Sequence, residues 1–190
     1  MQFVSFNPTR VHFGEGLFDR LGQLASAHGT RAILVTGRRA MERSGHLQRA
    51  VDMLETAGVA VEVFNRIPAN PTLDVCEQGA ATARDLGADC VVALGGGSSM
   101  DAAKAIAVAT VHDEPLKSFL LADETGFKPA PTGRTLPVIA ATSTAGTSSE
   151  MTPFAVITVP ETREKTAIVG PAIYPREAVQ AGASFLLCVS

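Results

Sequence analysis

Residues 89–105 read "DCVVALGGGSSMDAAKA", and the fold class turns on them. The first half is an apolar, β-rich run, too short for an ordinary helix and too apolar for a surface strand. Such a run belongs to a strand buried on both faces, as in parallel sheets. Three glycines and two serines follow, and residues 98–110 then read as an alanine-rich helix.

Working outward, strands and helices alternate. "RAILVTG" (31–37) is a strand ending in glycine, and residues 39–57 carry apolar positions at helical spacing up to Gly58. "VAVEVFNRI" is the next strand, "ANPT" a breaker with Thr72 as N-cap, and "TLDVCEQGAATARDLG" a helix closed by Gly87. A short helical patch surrounds "PLKSFLLA", a Pro- and Gly-rich loop spans 126–133, and "TLPVIAATS" is a strand. This alternation predicts an α/β fold with a doubly wound, mostly parallel, Rossmann-like sheet. After Glu150, "FAVITV" and "KTAIVG" predict an added β-hairpin across "PETRE". The N-terminal "FVSFNPTRVHFGEG" is extended and outside the alternation, so it is expected at a sheet edge or against a partner subunit.

Composition excludes several classes. The chain has 190 residues, 46% hydrophobic, with 16 basic against 19 acidic side chains, so no charge footprint for nucleic acid or an anionic membrane is expected. No apolar stretch reaches spanning length and no signal peptide is legible. Cys76, Cys90 and Cys188 are odd in number and widely spaced, which suits a reduced, cytoplasmic setting. His12, His28, His46 and His112 are scattered without the i, i+4 pairing of a helical metal site. The reading therefore expects no metal ligands and no catalytic residues in this chain.

Two constellations carry chemistry. In an open α/β sheet, ligands bind beyond the carboxyl ends of the strands. Gly95, Gly96 and Gly97 stand at such an end, where glycine admits an anion close to backbone amides and the helix N-terminus adds positive potential. Ser98 and Ser99 are placed to cap the helix or donate to phosphate oxygens. The plain alternative is a tight turn with no ligand. Neither G-x-G-x-x-G nor G-x-x-x-x-G-K-[ST] is present, so the motif alone stops at a pyrophosphate-sized anion. The second constellation is "ATSTAGTSSEMT" (141–152), in which seven of twelve residues are Ser or Thr, following a core strand at the same end of the sheet. Its hydroxyls suit ribose, phosphate or carboxamide, and its plain alternative is a solvated loop.

Together "GGGSSMDAAKA" and "TSTAGTSSEMT" resemble the group III, iron-containing alcohol dehydrogenases. "NPTRVHFGEG", "ILVTG", "IPANPT" and "REKTAIVGPAIYP" extend the resemblance in family order from about residue 1 to 177. It implies a dehydroquinate-synthase-like dinucleotide-binding domain over 1–177, with Gly95, Gly96, Gly97 and Ser98 at the pyrophosphate. It implies Thr144 and Thr147 near the nicotinamide and phosphates, and Lys165 at the nicotinamide ribose. Asn70, Pro71 and Thr72 match the family's NPT turn. NAD-preferring relatives often carry Asp after "VT"; here Gly37, Arg38 and Arg39 stand there, which favours NADP(H) over NAD(H), since guanidinium attracts a 2′-phosphate.

The family's divalent metal, Fe or Zn, sits on an aspartate and three histidines of a helical domain. The resemblance places that domain after this chain's last residues, so 178–190 ("AVQAGASFLLCVS") is expected to be an atypical tail, of a truncated form, a frameshifted product or a naturally short paralogue. The function expected is the NADP(H)-binding half of a metal-dependent alcohol dehydrogenase, an oxidoreductase acting between small alcohols and aldehydes or ketones. A homodimer through the N-terminal segment is expected as well. The alternatives are a non-catalytic dinucleotide-binding or dimerising remnant and, more distantly, a kinase with a glycine-rich turn, whose GGDGT-type acidic turn is missing at 95–99.

Overall fold

The computed structural model describes residue 2, residues 6–121 and residues 130–181. Its elements are β1 (Arg10–Phe13), α1 (Leu21–Ser26), β2 (Arg31–Gly37), α2 (Ala40–Arg43), α3 (His46–Thr56) and β3 (Ala60–Ile67). Then come α4 (Leu73–Leu86), β4 (Cys90–Gly95), α5 (Gly97–Val111), β5 (Val138–Thr142), β6 (Phe154–Val159), β7 (Glu164–Val169) and β8 (Glu177–Gln180). Six strands form one parallel sheet in the order β1-β8-β5-β4-β2-β3, and β6 and β7 form a separate antiparallel hairpin.

The period of two along each strand divides the interior into two cores. Ile33, Val35, Val91, Ala93, Val138 and Ala140 face one side, under α4, α5 and the hairpin's Ala155 and Ile157. Ala32, Leu34, Val92, Leu94, Ile139 and Ala141 face the other, against Leu21 and Leu24 of α1 and Leu54 of α3. Every residue of β4 is buried, as an apolar run covered on both faces requires.

Helix α5 has no polar stripe. From Ser99 to Ala109 only Asp101 is not fully buried, because the sheet, α4 and the hairpin enclose the helix. Its alanines permit the approach, and Gly79 of α4 faces it so closely that a Cβ there would lie 2.5 Å from Ile106 Cδ1.

Three boundaries differ from the reading above. The helix expected over 39–57 is two helices, because Gly45 adopts φ +76° and its N–H bonds Glu42 O, closing α2 before α3 restarts. The patch at "PLKSFLLA" is a single 3-10 turn, Leu116–Phe119. The division at 177 falls on a strand: β8 lies between β5 and β1 inside the sheet. "EAVQ" has polar residues at both ends and too few positions for a readable pattern, yet Glu177, Ala178 and Val179 are buried. The N-terminal segment does supply an edge strand, β1. Residues 182–190, most of the expected tail, and residues 126–129, the first half of the 126–133 loop, lie outside the described residues.

Candidate functional site

From β2 the chain winds outward to β3; it then returns past β2 to β4 and continues in the opposite direction through β5. The sheet therefore reverses between β2 and β4, and their carboxyl ends, Gly37 and Gly95, flank the crevice that such a reversal opens. A groove of about 590 Å³ occupies this place, lined by Gly37, Arg38, Arg39, Ala69, Ser98 and Ser99 among others. Both guanidinium-bearing residues are exposed beside it.

The glycines have distinct reasons. Gly95 has φ +135°, a conformation side-chain-bearing residues rarely adopt, and a Cβ would lie 2.8 Å from Ser99 Oγ. Gly96 and Gly97 instead admit a second loop. A Cβ on Gly96 would stand 3.2 Å from Thr144 Oγ1, and one on Gly97 3.0 Å from Thr147 Cγ2. The two sequence constellations therefore touch. Ser143 N–H donates to Gly95 O at 2.8 Å and Thr142 Oγ1 donates to Thr144 O at 3.1 Å, holding the second loop against the first.

What this junction offers is backbone. The amides of Ser99 and Met100 donate to Gly96 O, and no side chain caps α5, so the amides of its first residues are left without a side-chain cap. The Ser98 hydroxyl does not face them; it donates to the carbonyl of Ala69 and ties α5 to the segment before α4. The Thr144 and Thr36 hydroxyl oxygens are buried beside the glycine turn without a partner. An unmet buried hydroxyl costs about 1–3 kcal/mol, which a ligand or ordered water recovers.

Lys165 lies on the exposed hairpin, opposite Thr158. Thr158 N–H donates to Pro71 O at 2.8 Å, so the hairpin is joined to the Asn70–Pro71–Thr72 turn, one residue beyond Ala69. The structure thus brings the 95–98 turn, Thr144 and Thr147 into contact, lines the groove with residues 37–39, and leaves Lys165 linked through the hairpin.

A buried polar network escaped the sequence reading. Lys104 of α5 is fully buried, and its Nζ donates to Phe154 O (2.6 Å), Ser149 Oγ (3.1 Å) and Thr152 Oγ1 (3.5 Å). Ser149 Oγ in turn donates to Asp101 Oδ1 at 2.5 Å, and Asp101 lies 3.8 Å from Lys104 Nζ. Burial pushes the Lys104 ammonium down to about 8, although Asp101 and Glu150 pull it up. Burial likewise raises the Asp101 carboxyl, against the Ser149 hydroxyl, Lys104 and the Val156 amide. Asp101, in the first turn of α5, is thus a partner of Ser149 and Lys104. The i, i+3 spacing of Asp101 and Lys104 in "SSMDAAKA" was the available signal. Glu150 is buried nearby, with Oε1 accepting from Gln180 Nε2 at 2.6 Å.

A second cluster lies at the opposite end of the sheet. Glu177 accepts from His12 Nε2 (2.7 Å), Arg10 (2.9 Å) and His28 Nε2 (3.1 Å). Burial raises its carboxyl, but the two histidine hydrogen bonds and Arg10 outweigh this and hold it below the usual range. Among the described residues no three His, Cys, Asp or Glu side chains form a group suited to a metal ion, and no helix is long and apolar enough to cross a membrane.

The sequence model of the family described as iron-containing alcohol dehydrogenase matches residues 8–180. The bifunctional aldehyde-alcohol dehydrogenase AdhE of Escherichia coli K12 is 34% identical over 178 residues, 90% of this chain and 20% of that protein. An archaeal halo-thermophilic alcohol dehydrogenase from a Red Sea brine pool superposes with a TM-score of 0.89 at 42% identity, over 95% of this chain and 46% of that one. Sulfoacetaldehyde reductase from Bifidobacterium kashiwanohense, solved with NAD+, gives 0.83 at 31% identity, over 95% and 46%. The chain spans less than half the length of these relatives.

Proposed function

This chain belongs to the iron-containing alcohol dehydrogenase family, and from that premise we propose that it is the dinucleotide-binding part of an NADP(H)-linked alcohol dehydrogenase. The single observation that carries the reading is the contact of the 95–97 turn with Thr144 and Thr147 at the reversal of the sheet. The uncapped amides of Gly97 and Ser98, with the glycine turn, fit a pyrophosphate. Thr144, whose hydroxyl lacks a partner, and Thr147 border the same anion and the nicotinamide. Lys165 reaches the nicotinamide ribose from the hairpin. When bound, the nicotinamide accepts or gives the hydride by which an alcohol and its aldehyde or ketone interconvert.

This chain's residues bind and orient the cofactor. Among the described residues no cluster of His, Cys, Asp or Glu fits the family's metal.

For the adenosine end, Arg38 and Arg39 beside Gly37 support the 2′-phosphate of NADP(H), with no carboxylate at position 37 to repel it. The NAD+-bound sulfoacetaldehyde reductase points the other way for its own chain. Charge-assisted hydrogen bonds of about 1.5–3 kcal/mol make the expected NADPH preference roughly 10- to 100-fold. Calorimetric titration with NADPH and NADH tests it, alongside Gly37→Asp, which is expected to reverse the preference, and Gly97→Asp, which is expected to abolish binding of both. Equal affinities in the unaltered chain would remove the 2′-phosphate reading, and no binding of either nucleotide would remove the site.

The reading also includes a homodimer through the N-terminal segment. Among the described residues the outer edge of β1 has no strand beside it, and Val11 and Phe13 are exposed there. Light scattering on Phe13→Lys checks this. A cytoplasmic setting is proposed from the free, buried thiols of Cys76 and Cys90. The near-balanced charge supports neither a nucleic acid nor a membrane partner.

A further inference from the structure

Helix α5 is packed with Ala, Ile, Val and Met, and one lysine is buried completely among them. A buried ion pair is a poor source of stability, because desolvation offsets the attraction. The acceptors of Lys104 suggest another use. Ser149, Thr152 and Phe154 all belong to the segment that leaves the Thr144–Thr147 loop and enters β6. Ser149 N–H also bonds Thr147 Oγ1 at 3.3 Å, and the Thr147 methyl lies where a Cβ on Gly97 would stand 3.0 Å away. Lys104 and Gly97 are on one helix, two turns apart. One ammonium therefore spans the helix that carries the glycine turn, the loop that closes on it and the strand that leads into the hairpin of Lys165.

We propose that Lys104, with Asp101, is a positioning pair that sets the Thr144–Thr147 loop and the β6–β7 hairpin at the spacing the dinucleotide requires, and that its protonation tunes cofactor affinity. The proposal rests on the cofactor reading above.

Three protons on Nζ serve three acceptors on one segment, and a neutral amine has only two. The charged groups acting on Nζ are Asp101 from its own helix and Glu150 from the loop after β5; Cys76 of α4 lies near Asp101, a buried thiol pushed up in the direction that keeps it neutral. An anionic ligand favours the protonated lysine, so affinity falls as pH rises through about 8. This loss is separable from unfolding. The folded value lies below the ordinary 10.5, so between the two the unfolded state holds the extra proton, and global stability from Lys104 rises with pH.

The test titrates NADPH into the unaltered chain, Lys104→Met and the double variant Lys104→Met/Asp101→Asn, between about pH 7 and about pH 9.5. The double variant removes both charges, so the test still stands if the single variant, which leaves Asp101 without its cation, is destabilised. The unaltered chain is expected to weaken by roughly tenfold across the range; either variant binds more weakly than it at about pH 7 and without the pH step. A pH-independent unaltered chain, or variants that bind as it does, overturns the proposal. Amide exchange of residues 147–154 without ligand gives an independent readout. Protection that drops there in the variants while β4 stays protected supports the positioning role even if no nucleotide binds, and unchanged protection overturns it. Loss of NADPH binding by the unaltered chain removes the cofactor reading instead.

Discussion

Replacing Gly95 and Gly97 separately by alanine asks why three glycines stand in a row. At Gly95 an L residue would be held at φ +135° with its Cβ 2.8 Å from Ser99 Oγ. The hydroxyl is the end of a rotatable side chain, so the lasting cost is backbone strain, about 1–3 kcal/mol. At about 2–4 °C per kcal/mol for a chain of this size, the midpoint falls by about 2–12 °C. At Gly97 the backbone is helical and the Cβ meets Thr147 Cγ2 at 3.0 Å, on an exposed loop that yields by a few tenths of an ångström. Gly97→Ala is therefore expected to change stability by less than about 1 kcal/mol, with alanine's better helix propensity offsetting the contact. It is nevertheless expected to weaken NADPH, because it widens the gap between turn and loop. Circular dichroism melts and calorimetric titration measure the two effects. Equal destabilisation by both substitutions, with NADPH affinity unchanged in Gly97→Ala, would refute the argument and leave the glycines as a turn alone.

Two further outcomes follow from buried groups. Glu177 is held below its ordinary 4.5 by its histidine and arginine partners, so its contribution to stability is present above that value and lost as pH falls through the lower folded one. Glu177→Gln is expected to flatten the acid limb of denaturant melts and to cost about 1–2 kcal/mol at neutral pH, modest because Arg10 is largely exposed; an unchanged acid limb would remove that role. Burial pushes the Cys90 thiol up to about 12 and raises Cys76 further, so iodoacetamide near neutral pH is expected to label neither until the chain unfolds. Labelling of either in the folded chain, read by peptide mass, would contradict the packing.

The sheet is legible because its strands carry unambiguous patterns: "VVALG" can only be buried on both faces, and Gly58 and Gly87 mark the ends of α3 and α4. The site's backbone parts were legible for the same reason, since glycine and hydroxyl clusters at strand ends imply close approach. Lys104 was not. A lysine inside an alanine helix reads as exposed unless something is known of what packs above it, and its acceptors lie 45 to 50 residues away. Gly45 was read through because apolar spacing continues across it, although a left-handed glycine resets the helix phase. Ser98 was read as a phosphate ligand, and only the fold shows the Ala69 carbonyl within its reach. β8 was missed because four residues carry too little pattern.

The placement of β8 has a consequence for biosynthesis. Strand β1 is made first, yet its neighbour in the sheet is β8, with Arg10 paired to Glu177, 167 residues later. As the chain emerges from a ribosome, β2, β3, β4 and β5 can pair in turn while β1 has nowhere to dock. The backbone edge of β1 that β8 will occupy then stays unpaired until residue 180 has been made, a window in which chaperones or another nascent chain can engage it. Non-local pairing of this kind is slow. Among the strands of this sheet, β1 is thus expected to pair last, fastened when Glu177 of β8 arrives between Arg10, His12 and His28.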